Sequence, residues 1–154
     1  MEIKQVKEDK KAYLPLLLDA DPDEGMLDRY LEQGEMFVAW QDGVAVCEAV
    51  VVELDDTACE LKNIATHPDY RLRGFAGQML PFLFAHYGKR YDAMFVGTSE
   101  QGRAFYEAFG FRYSHIIENF FIENYPEEII DDGEQCIDMV YFKRVIGGKQ
   151  SDEA

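Results

Sequence analysis

The sequence has few of the features that most often announce a function. Cysteine is scarce: Cys47, Cys59 and Cys136 make three in 154 residues, an odd number with no Cys-x-x-Cys pair. That argues against both a disulfide framework and a zinc knuckle. Positive charge is scarce too. Lys plus Arg number 15 against 30 Asp plus Glu, a net −15, and such a chain is ill suited to neutralising nucleic-acid phosphates. Nowhere do about 18 apolar residues run uninterrupted, so no membrane-spanning helix is expected. No Gly-Lys-Ser/Thr completes a P-loop, and Gly-x-Gly-x-x-Gly is absent. No His, Cys or carboxylate set has metal-ligand spacing, so no metal is expected. The opening MEIKQVKEDKK is charged and leads into no signal-type apolar segment, which predicts a cytoplasmic protein.

What remains is ordinary globular composition, 47% hydrophobic and 29% charged, in a chain long enough to bury roughly 70% of its unfolded surface. One domain is expected over residues 1–146, followed by a frayed polar tail over 147–154. The charge is uneven. From Lys62 to Arg112 seven basic residues face four acidic ones, a net +3, so the rest of the chain carries −18. A mildly positive centre suits an anionic ligand, and acidic rims suit a cationic partner.

Periodicity predicts the elements. Met1 to Val6 reads as a strand, and Tyr13 to Leu18 and Met26 to Leu31 as helical stretches separated by Asp21-Pro22-Asp23. Glu35 to Trp40 and Val44 to Leu54 form a hairpin around Asp42-Gly43, and Ala58 to Thr66 is a further strand. Apolar residues at 75, 79, 80, 83, 84 and 87 give a helix with one buried face, in which Pro81 predicts a kink near Gly77. Tyr91 to Thr98 is a strand, Ser99 to Phe109 a short helix, and Phe111 to Ile117 and Cys136 to Phe142 strands. A meander passing into a β-α-β crossover predicts a mixed sheet with helices on its faces.

The most informative segment runs from Ile64 to Leu80. A buried strand ends at a Pro68-Asp69 turn, and a helix then opens on Gly74, Ala76 and Gly77. Small residues at a helix start expose unpaired N–H groups at the positive end of the dipole, a site for phosphate. Arg71 and Arg73 stand beside it.

Two segments together resemble the GNAT superfamily of acyl-coenzyme A-dependent N-acetyltransferases. Arg71-Leu72-Arg73-Gly74-Phe75-Ala76 fits that family's Gln/Arg-x-x-Gly-x-Gly/Ala phosphate loop. Ile64-Ala65-Thr66-His67-Pro68 is similar to its Ile-Ala-Val-x-Pro strand end, with Thr66 in place of Val. About 30 residues on, Ser99 to Phe111 resembles its Asn-x-x-Ala-x-x-Phe-Tyr-x-x-x-Gly-Phe helix, with Ser99 and Gly102 at the places of Asn and Ala. The resemblance covers Met1 to about Ile146, and the segment from Ile116 to Tyr141 looks like a bacterial subgroup.

The resemblance implies a GNAT fold, an α/β (α+β) domain with a mixed sheet of six or seven strands and about four helices. It implies acetyl-CoA as co-substrate, its pyrophosphate on the amides of Arg71, Leu72, Arg73, Gly74, Phe75, Ala76 and Gly77. The main chain of Ile64, Ala65 and Thr66 would pair with the pantetheine arm like a neighbouring strand and offer an N–H to the oxyanion. Ser99 would contact the cofactor. Tyr106 would donate to the departing thiolate, a phenol of pKa about 10 facing a thiol of about 8.5.

The attacking ammonium must lose its proton, and alternation along the strand places Glu60 on the face of Ile64 as the first candidate base. Glu118 is the second. His67 belongs to the turn, and His86 and His115 have no visible partner. Tyr30, Trp40, Phe120, Phe121 and Tyr125 are candidates for the wall of an acceptor pocket. The expected activity is acetyl transfer to a primary amine, a small cationic amine or a protein amine, by direct attack. The alternatives are a non-catalytic acyl-CoA-binding module and a transferase with a longer acyl donor or a hydroxyl acceptor. A homodimer is compatible with the sequence.

Overall fold

A computed structural model describes residues 1–131 and 133–147. Of the expected frayed tail, residues 148–154 lie outside the described residues. In chain order the elements are β1 (Glu2–Val6), α1 (Leu14–Ala20), α2 (Glu24–Leu27), β2 (Glu35–Gln41), β3 (Val44–Glu53), β4 (Ala58–Thr66) and α3 (Phe75–Tyr87). Then come β5 (Ala93–Thr98), α4 (Arg103–Ala108), β6 (Arg112–Ile117), α5 (Phe120–Asn124), β7 (Ile130–Asp131), β8 (Glu134–Gln135) and β9 (Met139–Val145). Seven strands form one mixed sheet in the order β1-β2-β3-β4-β5-β9-β6, and β7 pairs only with β8. Every neighbouring pair in the large sheet is antiparallel except β4 and β5.

The expected mixed sheet with helices on both faces is what forms. On one face α3 packs Met79, Leu80 and Leu83 against Ala49, Val51, Leu61, Val96 and Phe142. On the other, Leu17 of α1, Leu27 of α2, Tyr30 and Leu31 cover Met36, Val38 and Val50. Asp42 and Gly43 both take left-handed backbone angles, the pair a tight hairpin turn requires. The Asp55 carboxylate accepts from the amides of Thr57 and Ala58 and so starts β4. Helix α3 has the predicted limits and runs on through Pro81. No helix among the described residues is long and apolar enough to cross a membrane.

Several expectations need correction. The second helical stretch is α2 alone, ending at Leu27 instead of running to Leu31. Beyond it the carbonyls of Leu31 and Gly34 are gathered by the buried Lys10 ammonium at 2.9 and 2.6 Å, which stabilises turns in place of further helix. Ser99 to Phe109 divides into a 3-10 turn over Glu100–Gly102 and then α4. The last strand starts at Met139, not Cys136: the Cys136 amide is taken by the Ile129 carbonyl and Asp138 accepts from the Asn119 amide. Helix α5 and the β7–β8 hairpin were not foreseen, and with α5 there are five α-helices among the described residues.

Candidate active site

The site follows from one irregularity in β4. Opposite β3, Val51 pairs with Leu61 but Val50 pairs with Asn63, so Lys62 is an extra residue, a β-bulge. Bulges bend a strand and increase its twist. At the same place β4 parts from its parallel neighbour: the β4–β5 pairing ends at Leu61 and Val96, while β4 continues to Thr66 beside β3 and β5 continues to Thr98 beside β9. The edge of residues 62–66 that faces β5 therefore lacks a partner strand. It borders a cleft of about 1030 Å³ that passes through the sheet from the α3 side to the α1 and α5 side.

The bulge also overturns the expected face of Glu60. Glu60 pairs with Val52 and Ile64 with Ala49, residues of opposite parity on the span 49–52 of β3, where β3 has no bulge. The two side chains therefore point to opposite faces, because the extra residue inverts the alternation. Glu60 shares its face with Asn63 and lines the cleft on the α1 side.

On the α3 side the cleft is made of backbone. Gly74 is the residue before the first turn of α3, with φ +83°, and a Cβ there would meet nothing within 4 Å. Leu72 is also left-handed at φ +63° and fully exposed. No side chain caps α3, so its first-turn amides have no partner within the helix and face open space at the positive end of the dipole. Successive amides in such alternating backbone form an anion-binding concavity. Gly77 is small for another reason, since a Cβ there would lie 3.1 Å from the Phe109 ring.

All the sequence-predicted cofactor residues line this cleft except Arg73, whose guanidinium lies over the Tyr70 ring at 5.1 Å. Arg71 is paired with Asp19 at the end of α1 and reaches back to the Thr66 carbonyl. Ser99 lines the cleft, but its hydroxyl donates to Asp131 at 2.8 Å, so it serves β7 first. Gly102, the departure from the family's alanine, has a steric cause: a Cβ there would fall 2.1 Å from the Thr98 Oγ1.

Tyr106 reaches the cleft from α4, its ring edge-on to Phe111 and Phe105. Its hydroxyl makes no hydrogen bond to a described residue. Burial, with a smaller contribution from the Glu48 carboxyl, raises its pKa well above that of a free phenol. It therefore remains a hydrogen-bond donor throughout the neutral range.

The α1 side is made of side chains. Gly97 has no Cβ to collide with the Tyr141 ring, 2.9 Å from where one would stand. Tyr141 can thus lie beside Glu60, whose charge raises the phenol's pKa after burial has done so. Lys62 pairs with Glu60 at 3.5 Å and lies 5.3 Å from the Tyr30 ring centre. Tyr30 donates to one oxygen of Asp21 at 3.1 Å and Tyr125 to the other at 2.9 Å. Asn63 donates to the Leu17 carbonyl and to the Tyr30 oxygen.

Of the candidate acceptor wall, Tyr30, Phe120, Phe121 and Tyr125 line the cleft. Trp40 does not: it packs edge-on to Tyr13 within the second core. Glu118 is exposed and outside the cleft. His67 accepts from the Asp69 amide and so belongs to the turn, His86 stacks on Phe82, and His115 stacks on Tyr141. The thiols of Cys47 and Cys59 are pushed up to about 12 by burial, which makes them poor nucleophiles. Among the described residues no His, Cys, Asp or Glu group is arranged to hold a metal.

Sequence reasoning missed Asp21, Asn63 and Tyr141. Asp21 read only as a helix stop. A polar Asn63 amid the apolar residues of a buried strand was the one visible signal.

The chain is similar to known proteins of one family. The family described as acetyltransferase (GNAT) domain matches residues 32–113. The uncharacterised N-acetyltransferase YvbK of Bacillus subtilis strain 168 is 33% identical over 129 residues, covering 81% of this chain and 83% of that protein. A GNAT family acetyltransferase from Elizabethkingia anophelis, solved with acetyl-CoA bound, superposes with a TM-score of 0.88 at 30% identity, covering 94% of this chain and 97% of the other. A Bacillus subtilis acetyltransferase in complex with CoA gives 0.86 at 30% identity, with the same coverages.

Proposed function

The chain belongs to the GNAT acetyltransferase family, and on that premise we propose that it moves the acetyl group of acetyl-CoA to a primary amine by direct attack. The observation that carries the reading is the continuity of one cleft. An uncapped helix start, an unpaired strand edge and a free phenol follow one another along it. That sequence of groups suits a pyrophosphate, a pantetheine arm and a thioester in turn. The relatives solved with acetyl-CoA or CoA support the same ligand.

In this reading the amides from Leu72 to Gly77 hold the pyrophosphate, and the edge of Ile64 to Thr66 pairs with the amides of the arm. Arg71 exchanges Asp19 for phosphate. The amine nitrogen attacks the thioester carbon, a main-chain N–H of the β4 edge stabilises the oxyanion, and the C–S bond breaks. Tyr106 donates to the departing sulfur. Its raised pKa makes it a hydrogen-bond donor that stabilises the thiolate in preference to an acid that hands over its proton early.

Glu60 receives the ammonium proton before attack, held in place by Lys62 and Tyr141. An alkyl ammonium of pKa about 10.4 requires such a step at neutral pH.

The test is thiol release from acetyl-CoA with a panel of primary amines and matched alcohols. Amine-dependent release is expected, with kcat lowered about 100-fold in Tyr106→Phe and in Glu60→Gln while acetyl-CoA affinity stays within about twofold. Cofactor binding with no turnover on any amine would overturn the reading in favour of a binding module. Turnover on alcohols alone would replace the acceptor class.

A further inference from the structure

Around Asp21 the α1 half of the cleft has a surplus of hydrogen-bond acceptors. Asp21 is 9% exposed, and no Lys or Arg among the described residues pairs with it. Its two oxygens receive the hydroxyl protons of Tyr30 and Tyr125, both neutral. The side-chain donors that touch it are thereby used: each phenol gives its one proton to Asp21, and Asn63 gives its amide protons to the Leu17 carbonyl and the Tyr30 oxygen, while the Arg29 guanidinium, on the same cleft, is turned to Asn124 at 3.2 Å.

Two kinds of acceptor remain. One is the carboxylate of Asp21. The other is the Oδ1 of Asn63, a residue 4% exposed on the wall of the same cleft, which accepts no hydrogen bond. Of the other carboxylates lining the cleft, Glu60 already has Lys62, Asp19 has Arg71, and Asp131 is exposed and receives the Ser99 hydroxyl. Phe121 and Tyr125 stack beside the site with ring centres 5.6 Å apart and offer π faces.

A buried carboxylate without a counter-ion is costly, and one hydrogen-bonded only by neutral groups calls for a cation. A ligand group that brings positive charge and donors, and can rest on aromatic faces, is a protonated amine. The group that attacks the thioester must be neutral, so it cannot be the one held as an ammonium. Asp21 belongs to the α1 face of the sheet and Tyr106 packs on the α3 face, so the two are separate stations along the cleft.

We propose that Asp21, presented by Tyr30 and Tyr125 beside Asn63, binds a second, permanently protonated amine of the acceptor, which makes the substrate class a diamine-like cation. The proposal rests on the acetyltransferase reading for the reacting end only. Burial raises the Asp21 pKa, the direction expected of a carboxylate that lacks its cation.

The test compares two isosteres, 4-(dimethylamino)butylamine and 5-methylhexylamine, which differ in the charge at the far end. Calorimetric binding at pH 7.5, with and without coenzyme A, is read alongside acetyl transfer. Wild type is expected to bind the charged amine at least about 30-fold more tightly. Asp21→Asn is expected to erase that preference, with the loss carried by Kd and KM for the charged amine and not by kcat. Tyr125→Phe is expected to remove part of the preference.

Equal binding of the two amines by wild type overturns the proposal, and that comparison requires no variant. So does an Asp21→Asn enzyme whose kcat falls alike on both amines, which would make Asp21 a proton acceptor. Charge-selective, Asp21-dependent binding without any acetyl transfer would uphold the site and sink the acetyltransferase reading.

Discussion

The two halves of the cleft are built from different materials. The α3 half uses backbone: unpaired amides of a helix start, the free edge of β4, and the positive φ at Leu72 and Gly74. The α1 half uses side chains brought from four places in the chain, namely Asp21, Tyr30, Glu60 with Asn63, and Tyr125, with Tyr141 beside Glu60. A backbone site constrains residue size and conformation over a short stretch, so it leaves a motif. A side-chain site needs only that distant residues converge, so it leaves almost none. The first half suits a ligand shared by a whole family and the second an acceptor particular to this chain.

That contrast can be sharpened by substitutions. The largest effect outside the reacting groups is expected from Glu48. Its carboxyl is fully buried between Val38 and Ala65 of the neighbouring strands, and neither oxygen has a hydrogen-bond partner among the described residues. Burial, and secondarily Asp19, holds its pKa well above the ordinary range. The unfolded chain therefore releases this proton near pH 4.3 while the native state keeps it. Glu48 thus favours folding below that pH, and stability declines as pH rises from there towards the native pKa. Glu48→Gln is expected to raise the melting temperature at pH 8 by roughly 5 °C and to change it little at pH 4. An equal shift at both pH values would contradict the assignment of a buried, protonated carboxyl.

A smaller effect is expected at Leu72, where a fully exposed side chain sits on left-handed backbone. Leu72→Gly is expected to stabilise the fold by about 0.5 kcal/mol and to leave acetyl-CoA affinity within about twofold, because the amide survives. A tenfold loss of affinity would show that the side chain, not the backbone, does the binding.

How much was legible follows the same division. Helix α3 and strand β4 were readable to the residue because long, one-sided apolar patterns leave few alternatives. The opening of α3 was readable because Gly74, Ala76 and Gly77 are small, and Gly74 does take positive φ there. The face of Glu60 was misread because a single bulge at Lys62 inverts side-chain parity and nothing in Leu61-Lys62-Asn63 announces it. Helix α5 has five residues, too few to show a period, and the β7–β8 hairpin is two residues on each side. Gly102 looked like a departure from the family pattern, and only the position of Thr98 gives it a cause.

The most direct test of a backbone-built phosphate site is calorimetry of acetyl-CoA binding to the wild type and to Gly74→Glu. A side chain at Gly74 would meet no neighbour but is strained by φ +83°, so Gly74→Asn is the uncharged control for that strain, circular dichroism checks folding, and Gly74→Glu adds a carboxylate where the pyrophosphate is expected. The account predicts binding by the wild type and a loss of at least about 100-fold in the variant. A folded wild type that takes up no acetyl-CoA, or a variant that binds it equally well, would contradict it.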